Sequence, residues 1–513
     1  MQGKGDCAET DSNDKFLVHD RVEDCYRCLV IHQKHKHVLQ YKETYCGQRD
    51  YLSTICELIT GDAALYSMFR KEPLPEPEAC PFRPAPFTFT YSRGSGDCAN
   101  PPSRAESCTD ESRLLLRYMA CPDVPGTESN VEELICLATW KEGSTRYLVG
   151  LISQVQRRNT ISTDEDMYRC FVYKGNHAEK SVTYDIAQSG DATCNGLTSP
   201  VEGSRTMKLT NLDDEHNRCH FPSWIVDHHK WNSLDHLHEY RFTTRNATLK
   251  IQNDNGSHDE KRIVCHSILE QKDKFVKLVA HLTRGCESGH VCVQAWRRGA
   301  GVLELQLGAA LAGAPHAACA ADVPHAPHVT LLSNKLAPTR CPILGRYTVV
   351  DSLSDRRRKR RQVITDESSL EESVAKPPEC VLGQYDSASI GCGASQDTIE
   401  FQSACTSIVY KCYGSWYEGS KGLVVAAPVK MQGKQRALCF IYNTYVKNDT
   451  LGYPMNYLSI SAVARSCDRS VLPGVAGDKA YNLTINGTCE QSSKYSGGAG
   501  ALVPAGAAWA CAL

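Results

Sequence analysis

The sequence predicts an all-β protein of tandem, disulfide-stabilised antiparallel modules, each a sandwich or a small barrel. The 513 residues include 26 cysteines, and short β-favouring segments lie between them. No long segment shows helical periodicity. The cysteine spacing also repeats along the chain, which indicates serial copies of one unit. Closure of a module into a lipocalin-like barrel is one form that this class can take.

The cysteine content indicates an oxidising compartment. A reducing cytosol would leave these residues as thiols or metal ligands, and zinc modules need matched CxxC pairs. One CxxC occurs, formed by Cys25 and Cys28, without a second pair at zinc-finger spacing. We therefore predict disulfides and an extracellular or cell-surface location. The formal net charge of −2 gives no broad field for nucleic acid, so no nucleic-acid partner is expected.

N-glycosylation sequons also favour the secretory pathway. They occur at Asn246, Asn255, Asn448, Asn482 and Asn486.

A compact basic run at 356–361 precedes Gln362 and matches the substrates of furin-type proteases, with Arg358 and Arg361 as the required arginines. A solvated basic loop or a nuclear-import patch has a similar composition. The neighbouring cysteines and sequons favour cleavage.

The two ends of the sequence predict little about targeting. Residues 1–7 contain no apolar run, so no signal peptide is visible and we expect a shortened or incomplete N-terminus. The tail at 497–513 is small and apolar after a polar stretch, and it weakly resembles a lipid-anchor signal that Pro504 and Cys511 interrupt. Membrane contact is expected only through such an anchor.

Four ladders of three cysteines reveal the repeat. The second cysteine follows the first by 28, 24, 27 and 28 residues, and the third follows the second by 24, 25, 22 and 22. The ladders are Cys28, Cys56 and Cys80; Cys170, Cys194 and Cys219; Cys292, Cys319 and Cys341; and Cys439, Cys467 and Cys489. Spacing alone does not give the connectivity of the disulfides.

These ladders divide the chain into modules. They predict a partial N-terminal module at 1–79, modules at 80–218, 219–340 and 341–488, and an apolar tail at 489–513. The Ala-rich segment near 299–328 lacks strand alternation, which predicts a poorly ordered insertion or an error in the gene model.

The same hairpin pattern occurs at two places in the chain. Residues 136–144 align without a gap with residues 412–420, and Cys, Trp, Glu, Gly and Ser coincide. Apolar runs at 134–140 and 146–152 flank a short Gly-bearing loop, which predicts a β-hairpin. We expect Trp140 and Trp416 to pack in the core beside disulfides, and the repeated Glu142 and Glu418 to have a structural role.

No motif of a known catalytic site appears. The sequence lacks Gly-x-Ser-x-Gly, a P-loop and a dinucleotide-binding fingerprint. The sequence therefore predicts no catalytic, cofactor or metal residues, and a protein that is not an enzyme.

Two histidine clusters are candidate metal sites. His35 and His37 alternate with Lys34 and Lys36 and have no carboxylate adjacent in sequence, which favours an exposed basic strand. His236 and His238 lie near carboxylates and suit zinc or a pH-sensitive contact, but a polar surface strand is the simpler interpretation.

The chain resembles an arthropod extracellular cysteine-rich family built of serial domains of unknown function. The resemblance rests on CPF (80–82), FTFTY (87–91), ACPDVPGTES (120–129), ELICLA (133–138), WKEG (140–143), RYLVG (146–150) and CHFPSW (219–224). It implies secreted or surface-anchored modules with a signal peptide and a hydrophobic tail, and it implies no catalytic residues.

A non-enzymatic secreted or cell-surface binding or adhesion protein is the function that this pattern favours, because repeated modules present extended surfaces. Its partner would be an extracellular protein. The alternative is a lipocalin-like carrier of a small apolar ligand, which requires an apolar cavity inside a module. A hydrolase would require Ser, His and Asp to converge in one module.

Overall fold

The computed structural model describes most of the chain. The described residues are 4–11, 14–73, 75–83, 86–154, 163–177, 181–211, 219–243, 247–253, 259–320, 326–352, 384–429, 436–448 and 452–489. They form two compact units, one at 1–230, 237–295 and 306–326 and the other at 231–236, 296–305 and 327–513.

The predicted fold class is confirmed: the protein is 58% strand and 4% helix, with closed antiparallel barrels and disulfides. Among the described residues, the helices are α1 (Leu52–Glu57), α2 (Asp164–Met167), α3 (Ser223–Val226) and a 3₁₀ turn at Pro315–Ala317. None of these helices has the length and apolar character that crossing a membrane requires.

The N-terminal part is a small antiparallel sheet rather than a barrel. Its strands are β1 (Asp6–Thr10), β2 (Lys15–Asp20), β3 (Cys25–His35), β4 (Val38–Glu43) and β5 (Tyr66–Phe69), paired in that order. Leu17 and the Cys28–Cys56 disulfide pack with α1 on one side of the sheet. Its end strands, β1 and β5, do not pair with each other among the described residues, so the sheet is open.

Barrel 1 is an eight-stranded up-and-down barrel closed by the pairing of its last strand with its first. Its strands are β6 (Phe87–Ser92), β7 (Asp97–Ser107), β8 (Arg113–Tyr118), β9 (Asn130–Glu142), β10 (Thr145–Gln154), β11 (Tyr168–His177), β12 (Val182–Gln188) and β13 (Arg205–Asn211). Alternating residues point inward, and Phe87, Phe89 and Tyr91 of β6 are buried in the interior.

Barrel 2 has the same topology and contributes strands to both units. Its strands are β14 (Lys230–Ser233), β15 (His238–Phe242), β16 (Thr248–Asn253), β17 (Asp259–Lys272), β18 (Phe275–Arg284), β19 (Glu287–Gly299), β20 (Val302–Leu307) and β21 (Val329–Ser333).

Strand β20 corrects the expectation of a poorly ordered segment near 299–328. Val302, Leu303 and Leu305 are buried, and β20 pairs with β21. The Ala-rich composition follows this strand and obscured its alternation, so the prediction was wrong for these residues. Cys319, farther along the same segment, is disulfide-bonded to Cys292.

Barrel 3 closes in the same way and lies within the second unit. Its strands are β22 (Gly345–Ser352), β23 (Ser387–Ile390), β24 (Thr398–Gln402), β25 (Ser407–Glu418), β26 (Lys421–Pro428), β27 (Leu438–Asn448), β28 (Pro454–Val463) and β29 (Lys479–Gly487). Phe401, Phe440 and Tyr481 are among the buried residues of its interior.

The predicted hairpin is present in barrels 1 and 3. Glu142 pairs with Thr145 across a two-residue loop, and Glu418 pairs with Lys421 in the same way. Gly143 and Gly419 both have a φ of 58°, a conformation that costs glycine little because it has no Cβ. The sequence identity between these loops therefore reflects one backbone geometry used twice.

The first two cysteines of every ladder form one disulfide. The pairs are Cys28–Cys56, Cys170–Cys194, Cys292–Cys319 and Cys439–Cys467.

The third cysteine of the first three ladders instead begins the next disulfide. These pairs are Cys80–Cys136, Cys219–Cys265 and Cys341–Cys412, whereas Cys489 bonds back to Cys392. The recurring spacing is thus the spacing of one disulfide plus a linker to the next barrel. Restricting the unfolded chain in this way stabilises each module by about 2–4 kcal/mol per bond.

The Cys341–Cys412 disulfide predicts the product of furin-type cleavage. A cut after Arg361 falls between these two cysteines in sequence, so fragments 1–361 and 362–513 should stay linked. Electrophoresis of furin-treated protein should show one band without reductant and two with it. The Arg358→Ala, Arg361→Ala variant serves as the uncut control. Fragments that separate without reductant would contradict this pairing.

Candidate functional site

A disulfide joins barrel 1 to the part of barrel 2 in the first unit. Cys108 follows β7, and Cys286 lies in the turn between β18 and β19, 178 residues later. The amide of Thr109 donates a hydrogen bond to the carbonyl oxygen of Gly285 at 2.8 Å. A covalent bond and a backbone hydrogen bond therefore fix the β7–β8 loop against the β18–β19 turn.

Polar side chains reinforce this junction. Arg262 of β17 donates through one guanidinium nitrogen to the Ser107 hydroxyl at 2.8 Å and to the Cys108 carbonyl at 3.0 Å. Ser288 of β19 donates to the Glu106 carboxylate at 3.3 Å. Each contact crosses between the barrels, so their adjacent strands are held in a defined arrangement.

A cavity of about 460 Å³ lies beside the junction, lined by strands of both barrels. Strand alternation explains which side chains reach it. Arg262 and Val264 are two residues apart on β17, and they pair with Thr283 and His281 of β18. All four therefore lie on the outer face of barrel 2 and line the cavity. Its size is within the range of small-molecule sites, about 300–1,000 Å³.

Arginines from barrel 1 supply the opposite wall. Arg83 forms an ion pair with Glu111 at 2.6 Å, and Arg113 forms one with Glu133 at 2.9 Å. Arg104 is exposed on β7 and lines the cavity. Within the described part of the chain, its side chain forms no hydrogen bond or ion pair. Its guanidinium is thus available to a ligand.

Three histidines lie together on barrel 2. The ring of His290 is 5.3 Å from that of His266 and 5.5 Å from that of His281, measured between centroids. His281 and His290 also line the cavity. They come from neighbouring strands of one sheet, and they place donors and acceptors on the cavity wall.

The interiors of barrels 1 and 3 are occupied by their own side chains. Tyr118 and Tyr91 pack edge to face in barrel 1, with centroids 5.1 Å apart. Tyr410 and Phe440 do so in barrel 3, at 5.2 Å. Burial raises the pKa of Tyr410 to about 12, since its ionised form would lose solvation. The cavity at the junction borders the core of barrel 1, because Cys80, Phe82 and Leu114 belong to that core and also line the cavity.

The described glycosylation candidates differ in exposure. Asn448, at the end of β27, and Asn486, on β29, are exposed, and Asn486 donates to the Thr348 hydroxyl at 2.7 Å. Asn482 is half-buried, accepts a hydrogen bond from Ser459 and donates one to Gly474. Glycosylation at all of these positions stays a prediction.

Other predicted features fall outside the described residues. These are Asn246, Asn255, the basic run with Arg358 and Arg361, and the tail after Cys489.

The His35 and His37 cluster is not an exposed basic strand, and that expectation was wrong. His37 is only 9% exposed, and neither ring nitrogen has a hydrogen-bond partner among the described residues. His35 is 2.9 Å from the carboxylate of Glu78, which lies 43 residues away in sequence. The partner was missed because it is distant along the chain.

The second histidine cluster does not share a strand. His236 lies in a turn with a φ of 56°, between β14 and β15. His238 is on β15, 3.5 Å from the carboxylate of Glu260. The expected common strand face is therefore absent.

Glu142 and Glu418 accept a hydrogen bond from the tryptophan two residues earlier. The indole nitrogen of Trp140 is 3.0 Å from Glu142, and that of Trp416 is 3.2 Å from Glu418. Both tryptophans are half-buried at the edge of clusters that contain disulfides, rather than in the barrel interiors. The two glutamates thus orient aromatic side chains.

Glu418 also belongs to a buried charge network within the second unit. Arg469 bonds to both Glu418 and the fully buried Glu304, and Arg298 does the same. Burial alone would raise the pKa of Glu418, but hydrogen bonds and charge from Arg469 and Arg298 lower it. Two arginines and two glutamates compensate each other, which makes the network structural.

Two groups in the described chain combine cysteines with a carboxylate: Cys25 and Cys46 with Glu23, and Cys108 and Cys286 with Glu133. In both groups the cysteines are disulfide-bonded. A disulfide sulfur is not a thiolate, so neither group provides a cysteine metal site.

Removal of the junction disulfide should loosen both of its sides. In a Cys108→Ala, Cys286→Ala variant, we expect faster amide hydrogen exchange at 284–287, because the turn loses its covalent support. The Cys98→Ala, Cys121→Ala variant, which lacks a disulfide inside barrel 1, is the matched control. Unchanged exchange at 284–287 in the first variant would show that the bond does not hold the junction.

Acidification should weaken the N-terminal sheet through His37. Burial lowers the pKa of His37 from its ordinary value, and Lys36, His35 and Arg70 lower it further. As the pH falls, His37 is therefore protonated at a higher pH in the unfolded chain than in the folded one. The free energy of unfolding decreases as the pH decreases from about 7 toward the lowered pKa of His37.

A His37→Phe variant should flatten this pH dependence, measured by hydrogen exchange of β3 and β4 from pH 7 to pH 5. His32→Phe, at an exposed position on β3, is the control. If exchange in β3 and β4 of His37→Phe depends on pH as steeply as in the unchanged protein, His37 is not the cause of the pH dependence.

Comparison with known proteins identifies three segments. Residues 1–60, 76–211 and 215–330 match three models, each described as a domain of unknown function: DUF7044, DUF7042 and DUF7043. The first match covers most of the N-terminal sheet, and the other two cover barrels 1 and 2. No curated protein and no solved structure matches the chain. The chain therefore carries three consecutive domains of unknown function in series.

Proposed function

We propose that this protein is a non-enzymatic extracellular binding protein whose ligand site is the cavity between barrels 1 and 2. The observation that carries the proposal is the cavity's construction: its two walls come from different barrels and are joined by Cys108–Cys286. A site held this way needs little reorganisation when a ligand binds, which favours affinity.

The disulfides support the extracellular part of the proposal. Barrels 1, 2 and 3 each contain at least two internal bonds, such as Cys98–Cys121 in barrel 1 and Cys439–Cys467 in barrel 3. Such bonds form and persist in oxidising compartments. Binding to a macromolecular surface, as in adhesion, would use the exposed faces of the same modules.

The carrier of a small apolar ligand is the weaker alternative. The eight-stranded up-and-down barrel is the architecture of lipocalins. In barrels 1 and 3, however, aromatic residues such as Phe89 and Phe440 fill the interior. The cavity at the junction is lined by arginine, glutamate and histidine as well as apolar residues, which does not suit a fatty chain.

The side chains at the cavity also favour binding over catalysis. Ser288 donates to Glu106, and that carboxylate is shared with Arg117. Because the serine proton is directed to a carboxylate already paired with a guanidinium, these contacts hold the wall in place rather than activate a nucleophile.

The proposal predicts that a polar small molecule stabilises the oxidised full chain and that a plug in the cavity prevents it. We expect compounds from a panel of organic acids and sugars to raise the melting temperature, with no effect of palmitate. In Val264→Trp, the larger side chain should fill the space and abolish the shift. Val350→Trp, at an exposed position on β22, is the control.

Two outcomes would overturn the proposal. One is the absence of any shift across the panel, and the other is a shift that survives in Val264→Trp. A shift with palmitate alone would support the carrier instead.

A further inference from the structure

We propose that the ligand of this cavity is a compact acid that carries carboxylate or sulfate groups. This inference rests on the proposed function and specifies the chemistry of the same site. Its basis is the set of charged side chains that line the cavity.

Positive charge predominates on the lining. Four arginines, Arg83, Arg104, Arg113 and Arg262, face the cavity, against two carboxylates, Glu106 and Glu111. The two carboxylates already have partners, since Arg117 binds Glu106 and Arg83 binds Glu111. Arg83 and Arg113 are also ion-paired, so Arg104 is the lining arginine that adds positive charge without a carboxylate partner among the described residues.

Arg104 is the group best placed to bind such an anion. It lies on β7 directly across from Arg117 of β8. Arg117 is engaged with Glu106 at 3.4 Å, whereas Arg104 has no ion pair within the described chain. A planar guanidinium presents two parallel N–H groups, which match the two oxygens of a carboxylate or sulfate.

The wall from barrel 2 also supplies hydrogen-bonding groups. His281 and Thr283 of β18 line the cavity beside Val264. Hydroxyl and imidazole groups can donate to an anion or accept from a ligand hydroxyl. Barrel 1 thus contributes three of the four lining arginines, and barrel 2 contributes Arg262 together with hydrogen-bonding groups and a small apolar surface.

The volume restricts the size of the acid. About 460 Å³ accommodates a molecule up to roughly the size of a disaccharide. A tricarboxylate such as citrate and a sulfated disaccharide both satisfy the charge and the size. Both molecules carry oxyanions, and they differ in the hydroxyl groups that His281 and Thr283 would bind.

Isothermal titration calorimetry on the oxidised full chain tests the inference. The probes are citrate, a sulfated disaccharide and the same disaccharide without sulfate. We expect at least one of the two acids to bind, the neutral sugar to bind at least tenfold more weakly, and affinity to fall as salt increases. The relative affinities of citrate and the sulfated disaccharide show whether the ligand is a carboxylic acid or a sulfated sugar.

Arg104→Ala should weaken binding of the acid about tenfold or more, because a charged hydrogen bond is lost. Arg104→Lys should recover part of the affinity. Arg21→Ala, an exposed arginine of the N-terminal sheet, should leave it unchanged. Equal melting temperatures of the variants would show that folding is intact.

The two proposals fail differently. Equal binding of the neutral sugar, or full affinity in Arg104→Ala, would overturn the acidic ligand and leave a binding cavity. Absence of binding by every probe, together with no melting shift across the wider panel, would overturn both.

Discussion

The covalent bond between Cys108 and Cys286 is the constraint on which the first unit depends. Each barrel closes through its own strand pairing, so barrel closure alone does not fix one barrel against the next. This bond joins residues 178 positions apart, and the Thr109–Gly285 hydrogen bond and the Arg262 contacts lie beside it. Because side chains of both barrels line the cavity, its shape depends on that bond.

The remaining disulfides act within modules. Each barrel contains at least one short-range bond of 23–28 residues, as in Cys170–Cys194, and one that connects its first cysteine to a central strand, as in Cys80–Cys136. Small β modules bury limited apolar surface, and a restricted unfolded chain compensates for this. Barrels 1 and 2 both contribute side chains to the cavity, among them Arg104 of β7 and Arg262 of β17.

Patterns that repeat along the sequence predicted the fold. The residues of the site belong to no repeated pattern, so the sequence did not predict the site. Cysteine spacing and the 136–144 and 412–420 match reflect geometry repeated in each barrel, so they predicted serial β modules. Arg104 and His281 occur once, in different modules, and they meet only because the barrels are joined. The same reason explains why the Glu78 partner of His35 was missed. Alternation also failed at β20, where alanines follow a short buried strand.

The cavity depends on an oxidised chain in which barrels 1 and 2 are cross-linked. Mass spectrometry of peptides from the unreduced full chain measures this directly. We expect a peptide pair joined through Cys108 and Cys286, together with the pairs Cys80–Cys136 and Cys219–Cys265 of the same barrels. Recovery of Cys108 and Cys286 as free thiols, or bonded to other cysteines, would contradict this expectation.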